Sequence, residues 1–273
     1  MDNLIIVTGL LYIISAVGYI LFLFLQKLYL HRFAQIFLAT GFLCNSIVIG
    51  FNFAKTGQIP VRNLHETLIV TGWAIAGVFF AFQYKFKIKI LGGYAAPLAA
   101  ISVIAAFLVP YKAVEAQNIF NSIWLLLHVI SIFLGHAAFA MACGVGLLYV
   151  AQENAIKTKK HGFFYKRLPS LDLLDSTGYA CIITGFTLLT IGLITGFVYA
   201  KSVWGKFWSW DPKEVWSGIT WILYAAILHG RLTVGWRGKK AAIMAVIGFI
   251  VVLFTFLGVN FLLKGHHGVF TRL

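Results

Sequence analysis

Charge is what this chain of 273 residues has least of: Asp, Glu, Lys and Arg make up 11% of it, and only 8 residues are acidic. A soluble domain carries about a quarter charged residues and about half apolar ones, whereas 60% of this chain is hydrophobic. That balance excludes a soluble globular domain and leaves no stretch for one. Cysteine is scarce too. Cys44, Cys143 and Cys181 show no C-x-x-C pairing and each falls in an apolar run. They read as small buried hydrophobes, with neither a disulfide framework nor thiol chemistry implied. No acidic cluster and no glycine-rich phosphate loop interrupts the first four apolar runs.

What is present is apolar sequence in lengths that cross a bilayer. About 20 apolar residues span the hydrocarbon, and the charge-poor runs predict eight spans: 4–26, 33–53, 66–83, 90–110, 121–150, 178–200, 214–230 and 241–262. The fold class is therefore all-α, a polytopic integral membrane protein with about eight transmembrane helices, one membrane domain over residues 1–273. The first run has no basic leading region and no small-residue cleavage site, so it reads as a helix and not as a signal peptide. A net charge of +14 is here a topology signal and does not imply nucleic acid. Fourteen of the 22 basic residues lie on alternate connections, among them Lys85, Lys87, Lys89, Lys157, Lys166, Arg167, Arg231 and Arg237. The positive-inside rule places those connections in the cytoplasm. Both termini, and an outward-facing loop at 201–215, then lie on the outer side. The 152–177 connection, basic and then amphipathic, is expected to lie against the inner leaflet.

That outer loop holds the densest chemistry. Five of the eight Trp (Trp204, Trp208, Trp210, Trp216 and Trp221) fall between Lys201 and Arg231. Interfacial Trp belts account for two or three such residues, and not for the run W-S-W-D-P-K-E. Within it, Asp211 as N-cap, Pro212 at the first helical position and Glu214 three residues after the cap predict a capping box. Asn63 and Glu66 repeat the spacing ahead of the third span. In the fifth span, Trp124 and His128 share a face one turn apart in the outer third of the membrane. His136 follows eight residues on, about 80° further round, and reads as an interhelical hydrogen bond. His31 and His161, set among basic residues, read as solvated. The glycines of the sixth span (Gly178, Gly185, Gly192, Gly196) predict close packing against neighbours.

The order W-G-x-x-W-x-W-D-x-K-E-x-W-x-x-x-x-W, with L-H-x-R on the same helix, resembles the tryptophan-rich haem-handling signature of the CcsA/ResC cytochrome c assembly family, the system II synthase subunit. W-L-L-L-H-V around His128 and G-V-N ahead of a late histidine extend the resemblance over roughly residues 60–270. N-L-x-E-[ST]-L is also similar, although His65 stands where the family usually has Tyr. The resemblance implies haem b as substrate, held on the outer side between His128 and His267, with Trp204, Trp208, Trp210, Asp211 and Trp216 forming the haem-handling loop. His229 would act inside the membrane on haem arriving from the cytoplasm; His266 is displaced from the family position that His267 takes.

Two imidazoles on opposite faces of a porphyrin are an ordinary axial pair for iron. Lys201, Lys206 or Lys213 could pair with the propionates. The implied reaction joins haem vinyl groups to the C-x-x-C-H cysteines of apocytochrome c, with a CcsB/ResB-like membrane partner and thiol-reducing proteins, at a bacterial cytoplasmic membrane or a thylakoid. A haem exporter or chaperone similar to CcmC is the alternative; a b-type electron-transfer cytochrome or a transporter fits less well.

Overall fold

A computed structural model describes residues 2–109, 122–159 and 166–262. All regular structure among them is helical: α1 (Asp2–Leu25), α2 (Leu28–Thr56), α3 (Leu64–Phe86), α4 (Gly92–Leu108), α5 (Ile123–Lys157), α6 (Leu171–Trp204), α7 (Pro212–Thr233) and α8 (Lys239–Leu253). A 3-10 turn, Lys89–Leu91, leads into α4, and α8 runs on through a π segment, Phe254–Gly258, into a last turn α9 (Val259–Leu262). Seven stretches are long and apolar enough to cross a membrane: α1 to α6, with the 3-10 turn counted with α4, and α8 with its π segment. The protein is an integral membrane protein. α7, 22 residues and so ~33 Å long, is the eighth helix of spanning length. Its Ser, Thr and charged residues keep it less apolar than the rest.

α5 and α6 form the central pair. At 35 and 34 residues each is ~50 Å long and exceeds the ~30 Å hydrocarbon core. Lipid offers no hydrophobic drive between helices, so close approach through small residues holds such a pair. A Cβ on Gly185 would sit 2.6 Å from the Phe139 ring and 3.1 Å from the Gly135 carbonyl oxygen. The close packing expected of the glycine-rich sixth span is present. α8 covers α5 from one side, while α3 packs on α4 and α5, and α4 on α1. Phe139 of α5 stacks on the fully buried Tyr224 of α7, with ring centroids 3.6 Å apart.

Two expectations change. The inner connection is shorter than 152–177, because α5 continues to Lys157 and Ser170 caps α6 by accepting from Leu173 N at 3.3 Å. Glu153 and Lys157 pair at 2.9 Å and support the added turn, so Leu171–Asp175 is helix and not a surface segment. His31 is buried rather than solvated. Only Gln26 and Lys27 separate α1 from α2, and the tight turn folds the first turn of α2 back onto α1. There Tyr19 and Phe22 meet the His31 ring edge-on, and the Gln83 amide donates to Nε2 at 3.3 Å.

Candidate functional site

The Trp-rich loop begins where α6 stops. Gly205, at φ +72°, takes the left-handed conformation that ends the helix, and Lys201 Nζ donates to its carbonyl at 2.9 Å. α7 restarts at the capping box read from the sequence. The Asp211 carboxylate accepts from Lys213 N at 2.9 Å, and Glu214 accepts from Asp211 N at 3.3 Å. Glu214 also takes Ser209 N at 2.8 Å and Ser209 Oγ at 2.9 Å, which ties the loop to the helix start. The Asn63 cap is present as well: its side chain accepts from Glu66 N at 2.8 Å.

Beneath this loop lies a cavity of ≈ 210 Å³, walled by α5, α6 and α7 and closed by α3 and the π segment of α8. Its surface is mostly apolar, with a few polar groups turned in, the usual make-up of a small-molecule site. His128, Trp204, Lys213 and Glu214 all line it. His128 Nδ1 lies 2.7 Å from the Gly192 carbonyl oxygen of α6. A carbonyl can only accept, so Nδ1 carries a proton; in a neutral ring that is the tautomer whose Nε2 a metal takes. Gly196 makes room for the ring, since a Cβ there would come within 2.6 Å of Nδ1.

The tryptophans have separate surroundings. Trp204 lines the cavity beside Tyr199, ring centroids 6.2 Å apart. Trp208 packs edge-on to Phe197 at 5.6 Å and to Trp210 at 5.8 Å. Trp210 projects outward, 78% exposed. Trp216 packs on Phe254 at 4.4 Å, and Trp221 donates to Thr190 Oγ1 at 2.9 Å. Of the five, only Trp204 is among the residues lining the cavity. Lys213, ahead of the predicted span, is pulled down to about 8 by burial, against the opposing pull of Asp211.

The other histidines divide by position. His229 is exposed in the last turn of α7, 18 residues past Asp211, and so ~27 Å away along the axis. That end is tied by Arg231, whose guanidinium donates twice to Asp175 at 3.0 and 2.6 Å. His65 donates to the Ala106 carbonyl at 2.8 Å and packs by Phe107, away from the cavity lining. His161, His266 and His267 lie outside the described residues, so the expected pairing of His128 with His267 does too. His136 lines the cavity with its ring edge-on to Phe256 at 6.0 Å and makes no hydrogen bond to a described residue. Among the described residues, the interhelical bond expected of it is not made. Thr67, Tyr199, Ser217 and Thr255 also reach the cavity, and single polar residues in separate helices carry no sequence signal for such a meeting.

A family model described as cytochrome c assembly protein matches residues 61–267. The cytochrome c biogenesis protein CcsA of Guillardia theta is 35% identical over 241 residues, covering 81% of this chain and 80% of that one. CcsA of Synechococcus elongatus is 32% identical over 275 residues, covering 84% and 85%. Among solved structures, cytochrome c heme lyase CcmF superposes with a TM-score of 0.62 at 16% identity, over 97% of this chain and 46% of that one. At that identity the likeness concerns the fold. The matched span takes in α3 to α8, the cavity and the Trp-rich loop, and by it the chain belongs to the cytochrome c assembly protein family.

Proposed function

We propose that this chain is the haem-handling subunit of a cytochrome c synthase. It takes haem b as substrate, holds its iron through His128 and His267 on the outer side of the membrane, and presents the vinyl groups to the C-x-x-C-H thiols of apocytochrome c. The observation that carries this reading is the state of His128: half-buried on the wall of a mostly apolar cavity, proton held on Nδ1 by the Gly192 carbonyl, with Trp204 on the same wall. The ≈ 210 Å³ cavity is smaller than the roughly 300–1,000 Å³ of ordinary ligand sites. Part of the macrocycle would lie inside and the rest beneath Trp208, Trp210 and Trp216, with Asp211 holding that loop in place. Lys213 supplies a cation for a propionate.

Each thioether forms when a thiol S–H adds across a vinyl C=C, making one C–S and one C–H bond with no net oxidation. The protein's contribution is proximity: haem held rigidly beside two thiols turns a bimolecular addition into a nearly intramolecular one. The reading places the site on the extracytoplasmic or lumenal face of a bacterial cytoplasmic membrane or a thylakoid. It includes a CcsB/ResB-like partner and thiol reductants that keep the substrate cysteines free. His229, at the opposite end of α7, would meet haem on its way in.

Co-expression with such a partner and an apocytochrome c, in cells lacking their own attachment system, tests it. Haem that stays on the cytochrome through denaturing electrophoresis is the expected product, lost in His128→Ala and His267→Ala. Bound haem without any covalent product would make the chain a haem chaperone instead.

A further inference from the structure

We propose that His136 is a second iron-ligating side chain, holding haem at the far end of the cavity that His128 serves. The inference rests on the haem-handling reading above and adds a position within it. His128 and His136 line one cavity from one helix, eight residues and therefore ~12 Å apart along its axis.

The two rings differ in how they are held. His128 gives its Nδ1 proton to Gly192 at 2.7 Å. His136 hydrogen-bonds to no described residue, and its ring lies edge-on to Phe256 with centroids 6.0 Å apart. An ionisable side chain inside a spanning helix marks a functional position by default. The half-buried His136 ring opens on the cavity, where a ligand can reach it. The local backbone agrees, because Phe256 and Thr255 reach the cavity from the π segment of α8, and such segments recur at functional sites.

The chemistry narrows the ligand. Among the described residues no three His, Cys, Asp or Glu side chains come together as a metal site, so those residues offer a bare cation too few donors there. A metalloporphyrin brings four nitrogens of its own and needs one or two from the protein. Its ring also suits the Phe133 and Phe256 walls. Held by no hydrogen bond to a described residue, His136 is the exchangeable ligand, and His128 the oriented one. Haem would pass from the first to the second along α5.

Haem b titrated into the detergent-purified full chain, with its partner where that is required for stability, tests the proposal by absorption and electron paramagnetic resonance. His128→Ala is expected to keep histidine-ligated haem, and His128→Ala/His136→Ala to bind at least tenfold more weakly. The variant His128→Ala/His136→Cys is expected to give a ferric thiolate signature. His136→Gln, of similar shape, controls for folding by elution as a single species. A cysteine variant with the same spectrum as the alanine double variant, or equal haem affinity in His128→Ala with and without His136, would overturn the proposal. Failure of the unaltered protein to bind haem would instead overturn the haem-handling reading itself.

Discussion

Gly196 is a position where one methyl group should separate binding from folding. Its absent Cβ is the space the His128 ring occupies, so Gly196→Ala pushes the ring off the Gly192 carbonyl and frees the wrong tautomer. Overpacking of this kind costs ~1–3 kcal/mol. The expected outcome is at least a tenfold loss of haem affinity, by absorption titration, with the helical circular dichroism retained. Lys213 gives a pH signature. Its ammonium, lowered to about 8 by burial, is present below that value and lost above it. Haem affinity should therefore fall as the pH rises through about 8 in the unaltered chain, and stay level over that interval in Lys213→Met. A flat profile in the unaltered chain would remove Lys213 from propionate binding.

Among the elements, the start of α7 and the α5–α6 seam carry the most. Asp211→Ala removes the cap and half of the capping box; caps contribute ~1 kcal/mol. A fall in melting temperature should accompany looser docking of the 205–211 loop, read as faster amide exchange at Ser209 and Asp211. Gly185→Val forces a branched side chain against Phe139 and the Gly135 carbonyl and should cost more than the cap, because backbone lies opposite. Both features were legible in the sequence, since a cap is a matter of spacing over three residues and a small-residue seam recurs along one helix. The ends of α5 and α6 were less so. Hydropathy marks where apolar sequence stops, whereas Gln152–Lys157 and Leu171–Asp175 stay helical through capping and a charge pair.

Over the whole molecule, two separated ends emerge: the cavity with the Trp-rich loop at one, and the Arg231–Asp175 tie beside His229 at the other. On the topology expected from the positive-inside rule, the second end would face the cytoplasm. Membrane-impermeant labelling of single cysteines should reach Ser209→Cys from outside and Lys159→Cys only after permeabilisation; the reverse pattern would invert the topology. What the sequence determined by itself was the local and the statistical: an all-helical membrane chain, its caps, its glycine seam and the Trp-rich signature, each set by residues near one another in the chain. Only the tertiary structure decided that the carbonyl of Gly192, 64 positions from His128, sets its tautomer, that His31 is buried, and that His136 and Lys213 share the cavity. Those facts depend on which helix faces which, and packing between distant segments fixes that with contacts that leave no periodic mark in the chain.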